Sequence, residues 1–596
     1  MRKIYSLLLA LLLFAGVKIN AQINVSGGTG LLATYASFTQ SGGLFAAINA
    51  TAQTGNNIVV TLTGNTTEDG ANSLNAGAWA SINITPTGGA TRTVSGAVTA
   101  GTPMINLNGA DNVTFDGLNT GGNALVISNT TAAGTSNTST IRFIGGATNN
   151  TITNCSVLGS FSATVATNGG NIFFSTDANT ANGNDNNTIS NCKIGPAGAN
   201  LPTKGIYGNG STTTTAIGNS GITINNNEIF DYFGAAVASA GVYTAGGCNN
   251  WTITNNKFYQ QATRTWTTGT QHSAIWLLSS TSTSGMQGAT ITGNTIGYAT
   301  NTQTGTYTLT GTGTGAKFIG IHLTAITGGT ANSISNNTIA AVSMTGVTAT
   351  GTSTSSPFTA ILANTGLTTT NGNTIGSQSA TGSLVYSTTA GSTSDVHAIY
   401  NFGSDVWTCN NNNIGGITVT QAGTSGISIY GIRANTGTGV AWTATGNNVG
   451  GTVANSISVT SSATSTIVAG MYSANAPMAF TSNVIRNITT NNGTGTSTSA
   501  SIMGICHTST TPVNTIAQCT IHSLSNTNAT AASVVTGIQF TGSTGANVVQ
   551  RNLIYNLNVS TTSASAEVNG IRVGGGTTTY RNNMIALGAN ISNAIG

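Results

Sequence analysis

Only eleven Asp and Glu residues stand in a chain of 596, so carboxylate chemistry has few places to be. Cleaving a glycosidic bond takes two carboxyls, one to donate a proton and one to attack or to activate water. The candidate pairs are Asp111 with Asp116, Asp177 with Asp185, and Asp395 with Asp405. Each lies in a stretch rich in Gly, Asn and Ser, where Asp ordinarily closes turns, and turn closure is the favoured reading of all three. The run from Asp177 to Asp185 also offers oxygen ligands around a glycine, with Asp177, Asn179 and Asp185 as the set that could hold calcium. Its spacing is one residue off the EF-hand pattern, and a polar turn competes with the metal. No other cofactor is called for.

Cysteine and histidine add little. His272, His322, His397, His507 and His522 are scattered, with no metal-ligand spacing and no Ser-His-Asp arrangement. Three of the six cysteines, Cys155, Cys192 and Cys519, fall in a repeated inward position described below, and buried thiols are expected there. Cys155 and Cys192 sit in consecutive repeats, so a bridge at ~5 Å between α-carbons is the alternative.

The elements that must position these residues begin after a leader. Residues 1–21 have the charged start, the apolar run Leu7 to Val17 and the small residue Ala21 of a secretory signal peptide. Eleven apolar residues are too few to span a bilayer, and no later segment reaches the ~20 needed. The expected location is outside the cell or on its surface. Removing the leader takes away Arg2, Lys3 and Lys18, leaving 12 basic against 11 acidic residues, so the pI of 8.7 mostly reports the leader. A basic surface for nucleic acid is missing. Charged residues make up 4% of the chain, a composition that fits either disorder or a repetitive β-structure, and periodicity separates the two.

Thirteen copies of one segment, roughly 36 residues apart, align on the closing apolar residues Val157, Ile194, Ile229, Phe258, Ile296, Ile339, Ile375, Ile414, Val449, Ile485, Ile521, Ile554 and Ile585. Five residues earlier runs a second inward column, Ile152, Ile189, Ile224, Ile253, Ile291 and Ile334 and later Phe480, Ile516, Val549 and Tyr580, broken at Thr370, Cys409 and Ala444. The residue before it is Thr in ten copies, as strand alternation predicts for an outward face. Three before each closing residue stands Asn or Gly in ten copies, types that tolerate a left-handed turn. The next position holds Asn227, Asn256, Asn294, Asn337, Asn373, Asn412, Asn447, Asn483, Asn552 and Asn583, with Cys in the other three copies, and it predicts a stacked asparagine ladder. A second strand precedes, from Gly205-Ile206 through Gly320-Ile321 to Gly570-Ile571, and the rest of each repeat, such as Thr348 to Ser356 or Thr494 to Ser501, reads as a variable loop.

This pattern resembles the pectate-lyase-like right-handed parallel β-helix, a family with three strands per coil, a tight Asn-containing turn and variable loops. The resemblance implies an all-β solenoid over residues 105–596, preceded in 22–104 by a cap and first coils. Leu44 to Asn49 looks like the family's short N-terminal capping helix, Asn57 to Leu62 like its first strand, and Asp111 to Leu118 like the opening coil. No C-terminal cap can be read, so the expectation is either a fragment of a longer surface protein or an end that a partner covers, with self-association through it as one form of that. The leader and the Thr/Ser/Asn-rich coils also look like type IX exported surface proteins of gliding bacteria, although their C-terminal sorting domain has no counterpart here. Many members of the β-helix class cut acidic polysaccharides with Asp-bound calcium and a basic residue, which these few acids do not match.

The function expected is therefore a non-enzymatic surface protein or adhesin, a rigid rod presenting loops to extracellular glycans or to cell-surface and matrix components. A polysaccharide-binding or polysaccharide-degrading protein, lyase or hydrolase, is the alternative. Ice binding is a minor one, from Thr-x-Thr at 151/153, 252/254, 290/292 and 443/445. The position after each second-strand motif carries Tyr207, Tyr243, Trp276, His322, Tyr400, Arg433 and Tyr472. These predict an outward stripe on which sugar rings could pack; rings covered by loops would be the competing arrangement.

Overall fold

The computed structural model describes residues 22–279, 284–403, 405–423, 425–435, 442–461, 463, 466–475, 477–493, 500–509 and 513–587. The leader, part of the loop from Thr494 to Ser501, and the last nine residues lie outside the described residues. Within them the chain winds as a right-handed parallel β-helix. Each coil gives one strand such as Lys204–Asn209, a short second strand such as Thr223–Asn225, a turn, and a third strand such as Glu228–Phe230. The next coil repeats this with Ser239–Gly246, Thr252–Thr254 and Lys257–Tyr259, each strand hydrogen-bonded in parallel to its predecessor.

Inward apolar side chains hold this together, because a β-branched residue suits a pleated, buried position. One column runs in unbroken register from Ile105 through Ile141, Ile172, Ile206 and Val242 to Ile538 and Ile571. A second joins Phe115, Ile152, Ile189, Ile224, Ile253, Ile291 and Ile334, and all thirteen closing residues fall in the third. Where the second column narrows to Thr370, Cys409 and Ala444, these also point inward, and Trp407 and Trp442 fill the neighbouring inward position with their rings 5.8 Å apart. Close packing is kept by exchanging volume between adjacent sites.

The turn position is left-handed in all thirteen copies, with φ of 53° to 58° at its Asn residues and 65° to 69° at Gly293, Gly372 and Gly446. Ser482, Gln518 and Arg551 adopt the same conformation against their own preference. The loop segment holds more order than its composition suggests. Tyr307–Gly311, Val342–Val347, Leu384–Thr388, Ile417–Gln421 and Ile457–Ser461 form a fourth strand in successive coils, anchored inward by residues such as Met344, Tyr386 and Val419.

At the N-terminal end helix α1 (Leu44–Ala50) buries Leu44, Phe45 and Ile48 over the first coils. Strand Ile23–Ser26 pairs antiparallel with Asn57–Leu62, and parallel stacking begins there, two rungs before the one at Asp111. Glu68 pins the cap: its buried carboxylate accepts the N–H groups of Phe38 and Thr39 and the Thr39 hydroxyl. Burial raises its pKa, and these hydrogen bonds oppose the rise.

Candidate functional site

The asparagine column is a continuous hydrogen-bonded ladder. Asn337 Nδ2 donates to the Ile291 carbonyl (2.9 Å) and to Asn373 Oδ1 (3.0 Å), while Asn337 Oδ1 accepts from the backbone N and the Nδ2 of Asn294. The same pattern links Asn227 to Asn256, Asn256 to Asn294, Asn373 to Asn412, Asn412 to Asn447, Asn447 to Asn483 and Asn552 to Asn583. At Cys155, Cys192 and Cys519 the thiol takes the amide's place and points at the equivalent carbonyls of Phe115, Ile152 and Phe480, 3.5 to 3.6 Å away. All six cysteines are buried free thiols, and burial pushes Cys192 up to about 12. The ladder is structural and leaves no group facing solvent for chemistry.

The aromatic column forms in the expected register, from Phe173 through Tyr207, Tyr243, Trp276 and His322 to Leu362, Tyr400, Arg433 and Tyr472. Its rings stack: Tyr207 on Tyr243 at 5.6 Å and Trp276 on His322 at 5.6 Å. An open sugar platform, however, is not what results. Tyr207, Tyr243 and Tyr400 are buried, and Trp276, His322, Arg433 and Tyr472 are mostly covered, with only 12% of the Arg433 side chain accessible. Loops close over them because the loops have something to hold. Lys204 donates to the carbonyls of Thr164, Val165 and Thr167 and lies over the rings of Phe161 and Tyr207, while Tyr207 Oη donates to Asn168 Oδ1 at 3.1 Å. The Lys204 ammonium has no counter-ion in reach among the described residues, and burial drives its pKa well below the usual lysine range. Further along, the turn Ser353–Ser355 brings the Ser353 hydroxyl to 2.8 Å from Tyr400 Oη.

Beside Tyr400 lies a constellation that the residue patterns did not single out. Arg433 Nη1 reaches Asp395 Oδ2 at 2.7 Å and His397 Nε2 at 2.9 Å, and its guanidinium stacks over Tyr430 at 4.4 Å. His397 packs flat on Tyr400 at 4.4 Å. Burial first, and the Arg433 charge second, hold His397 well below its ordinary pKa, so it is neutral. Asp395 also accepts the Ser353 N–H at 3.1 Å. The only signal in the sequence was that Asp395, His397 and Tyr400 share one strand, Ser394–Asn401, with Arg433 in the aligned position of the next coil.

The paired acids are each engaged as hydrogen-bond acceptors. Asp111 accepts from Thr148, Asp116 from Leu118 and Asn154, and Asp405 from the N–H groups of Gly328 and Gly366. In the candidate calcium loop, Asp177 Oδ1 accepts the Asn179 N–H at 2.9 Å in a local turn, while Asp185 accepts the Ser220 N–H of the next coil at 2.7 Å. The two carboxylates thus serve different backbone donors, and no group of three His, Cys, Asp or Glu side chains suited to a metal occurs among the described residues.

The open polar surface lies on the third strands. A groove of about 570 Å³ is lined by Thr91, Asn119, Ser156, Lys193, Glu228 and Lys257, among others. Ser156, Lys193, Glu228 and Lys257 occupy the position just after the ladder residue on consecutive coils, so this column was readable from the repeat alignment. A second open hollow of about 390 Å³, lined by amides and hydroxyls that include Asn487, Ser523 and Asn556, lies toward the C-terminal end of the same face.

No family model matches the chain, and no curated protein matches it. Solved structures with a similar course include the A-module of the Azotobacter vinelandii mannuronan C-5 epimerase AlgE6, at 10% identity over 84% of this chain and 90% of that one, TM-score 0.25. Others are the catalytic domain of a GH87 α-1,3-glucanase (14%, 86% and 64%, TM-score 0.26) and the tailspike protein of Escherichia coli bacteriophage HK620 (13%, 84% and 74%, TM-score 0.28). The class that the fold defines is the parallel β-helix.

Proposed function

We propose that this protein is a non-enzymatic extracellular rod, secreted or held at the cell surface, that binds glycans as an adhesin or matrix component. The observation that carries the reading is where the ionisable groups lie. Asp395, His397, Arg433, Lys204 and His272 are buried or nearly so and engaged with one another, with aromatic faces or with backbone carbonyls. What meets solvent is column upon column of Thr, Ser and Asn, hydroxyls and amides repeating at each coil, a surface suited to hydrogen-bonding sugars and poor in acids and bases. No helix of the described residues is long and apolar enough to cross a membrane.

A second reading, polysaccharide cleavage, is favoured by one feature, the Asp395, His397, Arg433 and Tyr400 constellation, whose neutral imidazole beside a tyrosine could exchange protons if its loops opened. One experiment separates them: the purified chain is screened on acidic and neutral polysaccharides with detection of both retention and products. Retention without new reducing or unsaturated ends is expected. Cleavage of any glycan that is lost in His397→Gln overturns the first reading in favour of the second.

A further inference from the structure

We infer that the groove on the third strands is a binding site for an anionic oligosaccharide laid along the rod axis, with Lys193 as its charged anchor; this rests on the glycan-binding reading and gives it a place and a ligand class. The floor is built by outward side chains on five consecutive rungs, Val126, Ser156, Lys193, Glu228 and Lys257. At the β-strand spacing these cover ~19 Å, room for several sugar rings, each meeting one coil's donors and acceptors.

The charges within the groove are unequal in their commitments. Lys257 Nζ donates to the Asn301 carbonyl at 2.9 Å. Glu228 accepts from Asn301 Nδ2 at 3.0 Å and from Tyr259 Oη at 3.1 Å. Those two therefore build the wall toward the loop that carries Asn301. Lys193, one rung nearer the N-terminus, is exposed, and its ammonium has no hydrogen-bond or ion-pair partner among the described residues. Around it stand the Ser156 hydroxyl and the amides of Asn191 and Asn226, which are joined at 2.7 Å, and of Asn119. In a chain with 4% charged residues, three of them in register on adjacent coils, one with its charge uncommitted, stand out from the neutral surface. A free cation among hydroxyls and amides recognises a sugar chain that carries carboxylate or sulfate groups. The face differs from that of the covered aromatic column, so the site needs no loop to move.

The full chain is titrated calorimetrically with three tetrasaccharides, one of uronic acid, one sulfated and one neutral, at low and moderate salt, alongside Lys193→Gln and Lys193→Arg checked by circular dichroism. Expected is binding of at least one anionic probe that weakens with salt, falls tenfold or more in Lys193→Gln, and stays within a few-fold of wild type in Lys193→Arg. Which anionic probe binds tells carboxylate from sulfate. Equal binding of the neutral probe, or anionic binding unaffected by Lys193→Gln, overturns this site while leaving glycan binding standing. No binding of any probe overturns the site, and the broader polysaccharide screen then decides the reading it rests on.

Discussion

At the scale of single residues, the informative groups are the buried histidines. His272 sits inside the coil, its Nδ1 2.8 Å from Ser239 Oγ and its Nε2 hydrogen-bonded to the Tyr307 hydroxyl, with Tyr232 stacked at 5.3 Å. Burial, with the Arg264 charge adding, lowers its pKa to about 3. The folded value lies below the unfolded one of 6.5, so the unfolded chain takes up the proton first. Stability is therefore complete above about pH 6.5 and is lost progressively as pH falls toward 3, a contribution on the order of 5 kcal/mol at most from this one group. Denaturant unfolding between pH 4 and 8 is expected to show that loss, and His272→Gln, able to keep both hydrogen bonds, is expected to reduce the slope by about one proton. An unchanged slope in the variant would show that His272 does not carry the linkage. The sequence offered no metal-ligand spacing around this isolated His, and its place in the core was not legible, because the tyrosine that receives it stands 35 residues away.

At the scale of elements, the ladder and its turn repeat the same local problem in every coil, which is why they were legible. Asn types recur there because each must satisfy a buried amide and support a left-handed residue beside it. Asn337→Leu removes the acceptor for two donors of Asn294 and the donor to Ile291, and a loss of about 1–3 kcal/mol is expected. Asn337→Cys is expected to lose less, because the chain already uses a thiol toward the same carbonyl at Cys155, Cys192 and Cys519. Equal shifts in melting temperature for the two variants would contradict that. The fourth strands were missed although apolar residues alternate there with Thr and Ser, as in Ile417, Val419 and Ile457, Val459, because each run is only five or six residues long and sits at a varying distance from the repeated motifs. Burial of the aromatic column was missed for a different reason: the column's register follows from the repeat, but Lys204 and Ser353, which draw loops over Tyr207 and Tyr400, follow from loop conformations that no periodicity specifies.

At the scale of the whole molecule, a solenoid about 70 Å long, its second-strand column running from Val60, Ile84 and Phe115 through the thirteen repeats, has two ends that are physically unlike. Helix α1 and the antiparallel strand Ile23–Ser26 cover the N-terminal end, so no second molecule can continue the parallel stacking there. The last described rung, Glu567–Arg581 with Met584–Ala586, pairs on one side alone among the described residues, and exposes apolar side chains, with Met584 67% and Val573 53% accessible. Even Tyr580 and Ile585, which occupy inward columns, are open there. An unpaired edge with apolar neighbours recruits another edge, so the same edge of a second copy is the expected partner wherever the residues beyond Leu587 leave this rung open. A two-fold arrangement sets one edge strand antiparallel to its copy and closes the assembly, whereas a head-to-tail contact would grow a fibre. The expected result of sedimentation analysis is thus a concentration-dependent monomer–dimer equilibrium with no larger species, shifted toward monomer by Met584→Lys combined with Val573→Lys. Fibres would show that the N-terminal cap opens, and a strict monomer at high concentration would show that this rung is covered.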